Sequence, residues 1–294
     1  MIGDFAKKMS ETNAIGKANA PRTRQSLAAD LRLLGLEAGV TVLVHSSLSS
    51  LGWVSGGPVA VVQALMDVLT PSSTLVMPTH SGDLSDPARW ENPPVPQSWW
   101  QTIRDTMPAF DPRYTPTRGM GSIVETFRKW PGVLRSAHPA MSFAAWGRHA
   151  QLITAGHDLD YPLGEASPLA RIYDLDGWVL LLGVGYDSNT SYHLAEYRAP
   201  GAEPDILGAP VLVEGQRQWV EYKDIDIDSQ IFPDIGAKME EVVPLSLGQV
   251  GSAQSRYFRQ RAAVDFAQEW LAQHRRQSGI AAGLRDEVTA DRPQ

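Results

Sequence analysis

The run Trp178-Val-Leu-Leu-Leu-Gly183 places the tightest constraint on what this chain can fold into. Apolar at every position before the glycine and too short for a buried helix, it reads as a strand covered on both faces. Val40-Thr-Val-Leu-Val44 is a second buried strand, β-branched and preceded by Gly39. Strands of this kind need helices over them. One runs from a Thr23 cap to Leu34, with Leu27, Leu31 and Leu34 on one face. Another follows Gly52, Gly56 and Gly57, with Pro58 in its first turn and Val61, Leu65 and Leu69 as its stripe. A further strand, Thr74–Met77, ends at Pro78. Strand, glycine-rich turn, helix and strand in succession specify an α/β fold.

From Pro78 to Arg118 the pattern lapses into a long loop rich in proline and tryptophan, with only a short helical patch at Trp99–Thr106. Loops of this length in a compact domain are often lids or binding loops. Alternation then resumes, with helices at Ser122–Trp130, Arg148–Thr154 and Thr190–Tyr197 and a strand at Ser142–Trp146. Pro210–Glu214 and Gln218–Tyr222 read as a hairpin about Gly215, and Arg256–His274 as a final amphipathic helix. The expected organisation is a single α/β domain over 21–275, a poorly ordered lead-in over 1–20 and a polar tail over 276–294.

Composition narrows the chemistry. The absence of cysteine excludes a thiol nucleophile, disulfides and thiolate metal sites. A formal charge of −7 disfavours nucleic acid as a partner and suits a cationic one. No apolar stretch approaches a membrane span, and none in the first residues resembles a signal-peptide core, so a soluble cytoplasmic protein is expected.

Ligands of open α/β sheets sit at strand ends, where three features fall. His45-Ser46-Ser47-Leu48 follows the Val40–Val44 strand and exposes hydroxyls and backbone N–H groups to an anionic or carbonyl-bearing ligand; an ordinary capped turn reads the same way. Gly183-x-Gly185 lacks the third glycine of a dinucleotide turn. Past the Trp178–Gly183 strand, His193 and Glu196 are three apart and share a helix face. A histidine there suits a general base or a purely structural role, and no metal-ligand spacing accompanies it. Carboxylates form the third feature. Asp83, Asp86 and Glu91 lie near Trp90 in the long loop, and Asp224, Asp226 and Asp228 follow the hairpin. Acids beside aromatic faces suit a polyamine or aminosugar; a solvated loop is the alternative.

Taken together, Val44-His45-Ser46-Ser47-Leu48, Gly52, Gly56-Gly57, Met77-Pro78, Ser81-Gly82-Asp83 and Asp86-Pro87 resemble the aminoglycoside 3-N-acetyltransferases. Arg118-Gly119-Met120-Gly121, Arg135-Ser136-Ala137-His138-Pro139, Ser142-Phe143-Ala144-Ala145-x-Gly147, Ser167-Pro168, Asp176-Gly177, Leu180–Val184 and His193-Leu194-Ala195-Glu196 continue the resemblance in order. It implies a mixed central sheet flanked by helices, in a fold distinct from the general N-acetyltransferase superfamily. It also implies acetyl-CoA as co-substrate without a metal, an aminoglycoside or similar polyamine as acceptor, and a homodimer as an admissible assembly. Carried onto this sequence, Val44, His45, Ser46, Ser47, Leu48, Gly52, Arg118, Gly119, Met120, Ser142 and Phe143 would hold coenzyme A. His193 would be the general base, oriented by a carboxylate after the hairpin, Asp224 or its competitor Asp226. Asp83, Asp86, Trp90, Glu91 and Glu196 would contact the aminosugar. The expected reaction is acetylation of the 3-amino group of the 2-deoxystreptamine ring, giving resistance. Acetylation of another natural-product amine, a binding module without transfer, and a Ser-His-Asp hydrolase using Ser46 or Ser47 remain alternatives, the last lacking a Gly-x-Ser-x-Gly elbow.

Overall fold

The computed structural model describes residues 20–91 and 93–290, with 12, 15 and 16; in the last helix only the backbone is described beyond 276. The expected lead-in over 1–20 therefore lies almost wholly outside the described residues. In chain order the elements are α1 (Arg24–Leu34), β1 (Thr41–Ser46), α2 (Gly57–Leu69), β2 (Thr74–Pro78), α3 (Trp100–Thr106) and α4 (Gly121–Phe127). They continue with β3 (Leu134–Arg135), β4 (Phe143–Gly147), α5 (Ala150–Thr154), α6 (Pro168–Asp174), β5 (Trp178–Leu182) and α7 (Ser191–Arg198). The last are β6 (Pro204–Val213), β7 (Gln216–Ile225), α8 (Phe232–Glu240), β8 (Leu245–Val250), β9 (Ala253–Arg259) and α9 (Gln260–Ala290).

The central sheet is mixed, in the order β3-β4-β2-β1-β5-β9-β8. Its middle, β2-β1-β5, is parallel, and β4 and β9 close on it antiparallel from either side. Side chains alternate across a strand, so the buried runs feed two cores. Val42, Val44, Leu75, Met77, Leu180 and Leu182 face α1, α2 and α4. Leu43, Val76, Val179 and Leu181 face α5 to α9. Burial on both faces explains why these strands lack a polar alternation. At the start of α1, Thr23 and Ser26 exchange side-chain-to-backbone bonds (3.1 and 2.9 Å), and Gly35 ends the helix at φ 106°.

Three expectations change. Arg256–Arg259 is not helical but the end of β9, pairing with β5, and the helix begins at Gln260. Tyr257 and Phe258 match the apolar stripe of the following helix, which hides the strand; pairing with β5 overrides the local period. The hairpin is longer than expected and forms its own two-stranded sheet. And α9 runs on to Ala290, through most of the stretch read as a polar tail.

Both ends of the long loop are fastened to the sheet by Arg135. This guanidinium donates to Thr79 O (2.7 Å), Thr115 O (2.5 Å), Ser81 Oγ (2.8 Å), Ser142 Oγ (3.0 Å) and Thr79 Oγ1 (3.2 Å), and lies 4.9 Å over the Phe110 ring. No carboxylate touches it among the described residues. The hairpin grips the same loop: Arg217 donates to Met107 O (2.9 Å) and to Arg104 O, and Phe110 N to Pro210 O (3.2 Å).

Candidate active site

His193 stands in the first turn of α7, just past the C-terminal end of β5. Its Nδ1 is 2.6 Å from Glu196 Oε2, and its ring meets Phe232 edge-on at 4.8 Å. Glu196 is buried, and its second oxygen accepts from Asp228 N at 2.8 Å. The three-residue spacing on one helix face creates the pair. The hydrogen bond fixes the imidazole so that Nε2 is the free nitrogen, the arrangement a general base requires.

Two adjoining cavities meet at the ends of β1 and β5. The larger, about 740 Å³, is walled by Ser46–Ser49, Gly52–Val54, Gly57, Pro58 and Gly119–Ile123. The smaller, about 300 Å³, holds His193 with His45, His80, Pro78, Asp187 and Thr190. Ser46, Gly119, Met120, Val184 and Ser188 border both. The α2 N-terminus opens on the larger cavity through Gly57 and Pro58, and its Gly56 cap supplies no side chain to the first-turn N–H groups. A Cβ on Gly57 or Gly119 would meet open space, so backbone is accessible to a ligand there. Uncapped N–H groups at a helix start are suited to phosphate.

The polar atoms around the smaller cavity are unusually unpaired. Ser46 Oγ, His45 Nε2 and His80 Nε2 are buried without a hydrogen-bond partner among the described residues. Burial, followed by the nearby His193, pushes both imidazoles down to about 3, so both are neutral at physiological pH. Ser46 makes no hydrogen bond to His193, and Ser47 Oγ bonds Ser49 and Ser50, so neither serine is set up as the nucleophile of a hydrolase.

Of the residues singled out from sequence, Val44, His45, Ser46, Ser47, Leu48, Gly52, Gly119, Met120 and His193 border these cavities. Others do not. Ser142 and Phe143 are fully buried below the site, Ser142 Oγ donating to Thr79 O at 2.8 Å. Arg118 is at the surface in an ion pair with Asp83 (2.9 Å). Asp86 is held by Arg104 (2.7 Å) and caps Pro87–Arg89; Trp90 donates to Ser85 Oγ (3.0 Å); Glu91 is exposed. Asp224 makes no hydrogen bond to His193. It accepts from the Tyr197 hydroxyl and from Ile225 N (2.9 Å), and burial raises its pKa. Asp226 donates its backbone N–H to Glu203 O and is exposed. The carboxylate bonded to the imidazole is Glu196, which a carboxylate within one helical turn of the histidine already signals. Asp187 and Ser188 also border the smaller cavity, and their only sequence signal is a place in the turn that follows β5.

Among the described residues no cluster of three or more His, Asp or Glu side chains is placed to hold a metal, and no helix is long and apolar enough to cross a membrane. The family model for aminoglycoside 3-N-acetyltransferases matches residues 43–272. The SPbeta prophage-derived aminoglycoside N(3')-acetyltransferase-like protein YokD of Bacillus subtilis is 53% identical over 85% of this chain and 93% of its own. Aminoglycoside N(3)-acetyltransferase VII of Streptomyces paromomycinus is 37% identical over 90% of this chain and 96% of its own. Among solved structures, AAC-IIIb in a binary complex with CoASH superposes with a TM-score of 0.77 at 32% identity, covering 87% of this chain and 98% of that one. AAC-VIa bound to sisomicin gives 0.78 at 32% identity, covering 87% and 99%.

Proposed function

The chain belongs to the aminoglycoside 3-N-acetyltransferase family, and from that premise we propose that the His193–Glu196 pair activates an aminoglycoside amine for acetyl transfer. The protein is an acyltransferase with acetyl-CoA as co-substrate, acting on the 3-amino group of the 2-deoxystreptamine ring. The observation that carries the role of the pair is that His193, with Glu196 bonded behind it, stands on the wall of the smaller cavity, which shares wall residues with the larger one.

The residues present fit coenzyme A. The larger cavity offers the uncapped start of α2 to phosphate, and the glycines at 52, 57 and 119 bring backbone to its wall. Ser47, Leu48 and Met120 supply the mixed polar and apolar lining that suits the pantetheine arm. Acetyl-CoA, when bound, supplies an acetyl group activated as a thioester.

On the acceptor side, the amine arrives as an ammonium, which has no lone pair for attack. His193 Nε2 takes its proton directly or through one water, and Glu196 stabilises the imidazolium that results. Because Glu196 is buried and also held by Asp228 N, it keeps the ring in a single tautomer throughout. Incubation with acetyl-CoA and sisomicin, following thiol release and product mass, tests the reading. An N-acetylated product from wild type but not from His193→Ala is expected; equal turnover by the variant would overturn it.

A further inference from the structure

His80 stands just past the end of β2, where the long loop leaves the sheet. It walls the smaller cavity together with His193 and is absent from the wall of the larger one. Its Nε2 is buried and has no hydrogen-bond partner among the described residues. Leaving a buried polar nitrogen unpaired is costly, and on a cavity wall it calls for a polar atom brought by a ligand.

The main chain around this side chain is firmly held. Thr79 N donates to Ser142 O (2.8 Å), Ser81 N to Ala140 O (2.8 Å) and Arg118 N to His80 O (2.9 Å). Arg135 donates to Thr79 O and Ser81 Oγ, on the neighbours to either side. The ring rests edge-on against Phe143 at 5.4 Å. None of these contacts takes up Nε2. His45 Nε2 is unpaired as well, but His45 lies within β1 and is buried, whereas His80 is half-buried at the neck of the loop.

Burial keeps this imidazole neutral at physiological pH, so it carries no charge to set against an ammonium. A neutral imidazole is matched to an uncharged hydroxyl, to which it can donate or from which it can accept. The amine-bearing ring of an aminoglycoside carries oxygens beside its amines, and in sisomicin, with two of them glycosylated, one hydroxyl of that ring remains free, at carbon 5. We propose that His80 is a specificity-determining residue of the acceptor site, its Nε2 hydrogen-bonded to the free hydroxyl of the ring that bears the acetylated amine. This rests on the acetyl-transfer reading above for the identity of the acceptor, but concerns recognition and not the chemical step.

Calorimetry with sisomicin and 5-deoxysisomicin tests it on wild type, His80→Leu and His80→Gln, with CoA affinity as the control for folding. Wild type should bind 5-deoxysisomicin about fivefold to tenfold more weakly than sisomicin, as for loss of one uncharged hydrogen bond. His80→Leu should bind sisomicin more weakly by about the same factor and no longer distinguish the two compounds. His80→Gln, whose amide reaches the place of Nε2, should recover most of the difference, and CoA affinity should hold in both variants. Wild type that does not distinguish the two compounds would overturn the proposal, as would the full difference persisting in His80→Leu or an equal loss of CoA affinity. Wild type that binds sisomicin without acetylating it would overturn the acetyl-transfer reading and leave His80 to be decided by these affinities. Wild type that binds neither compound would overturn both.

Discussion

Glu196 Oε2 lies 2.6 Å from His193 Nδ1 while Glu196 Oε1 accepts from Asp228 N, so one buried carboxylate ties the proton acceptor of α7 to the segment leaving β7. Replacing His193 with Ala should lower kcat by about 10²–10⁴, the usual contribution of a general base. CoA affinity should change little. Circular dichroism shows whether the variant is folded, and stopped-time thiol release gives the rate.

Glu196→Gln preserves shape but offers His193 either a donor or a neutral acceptor in place of an anion. We expect kcat to fall by about a hundredfold or more, within the same general-base range. Asp224→Asn should leave kcat within about threefold of wild type, because Asp224 does not bond the imidazole. The two variants compared in one assay identify which carboxylate orients the histidine.

Asp224 has a structural task instead. Asp224→Ala leaves the half-buried Tyr197 hydroxyl without its acceptor and should cost about 1–3 kcal/mol of stability. Urea unfolding of wild type and variant measures the difference.

Four imidazoles make stability depend on pH. Burial pushes His45, His80 and His138 down to about 3 and His157 to about 4, whereas the unfolded chain titrates near 6.5. The unfolded state therefore binds more protons below that value, and folding stability rises with pH. The contribution is complete above pH 6.5 and is lost as pH falls toward 3–4. Each imidazole adds a slope of at most about 1.4 kcal/mol per pH unit. Thermal melts from pH 8 to pH 5 should show a steady fall in Tm. His157→Gln should flatten it, since an amide can accept from Ser136 and donate to Pro162 O as the imidazole does.

Much of this molecule was legible before the structure. The buried strands Val42–Val44 and Trp178–Leu182, the Thr23 cap and the Pro58 helix start carry their own local signals, because burial, capping and proline geometry act within a few residues. β8 and β9 did not, because Leu245–Val250 and Ala253–Arg259 are strands only through pairing with β5 and with each other. The same division runs through the site. His193 and Glu196 are neighbours on one helix and could be paired by spacing. Ser142 and Phe143 belong to a motif that carries the family resemblance, yet strand alternation and the Arg135 hub put them beneath the floor. The engagement of Asp86 by Arg104 spans a loop, and no local pattern announces it.

The β6–β7 ribbon makes no ladder bonds to the central sheet, yet it touches both the long loop, through Arg217, and α7, through Asp224 and Tyr197. Its strands can lengthen or shorten at the Gly215 turn without shifting any register that places His193. The ribbon's turn can thus change length while its base, which holds Tyr197 and leads to the Asp228 N–H on Glu196, stays where the proton-handling pair needs it. One end of the ribbon is therefore free to vary and the other is bound to the chemistry.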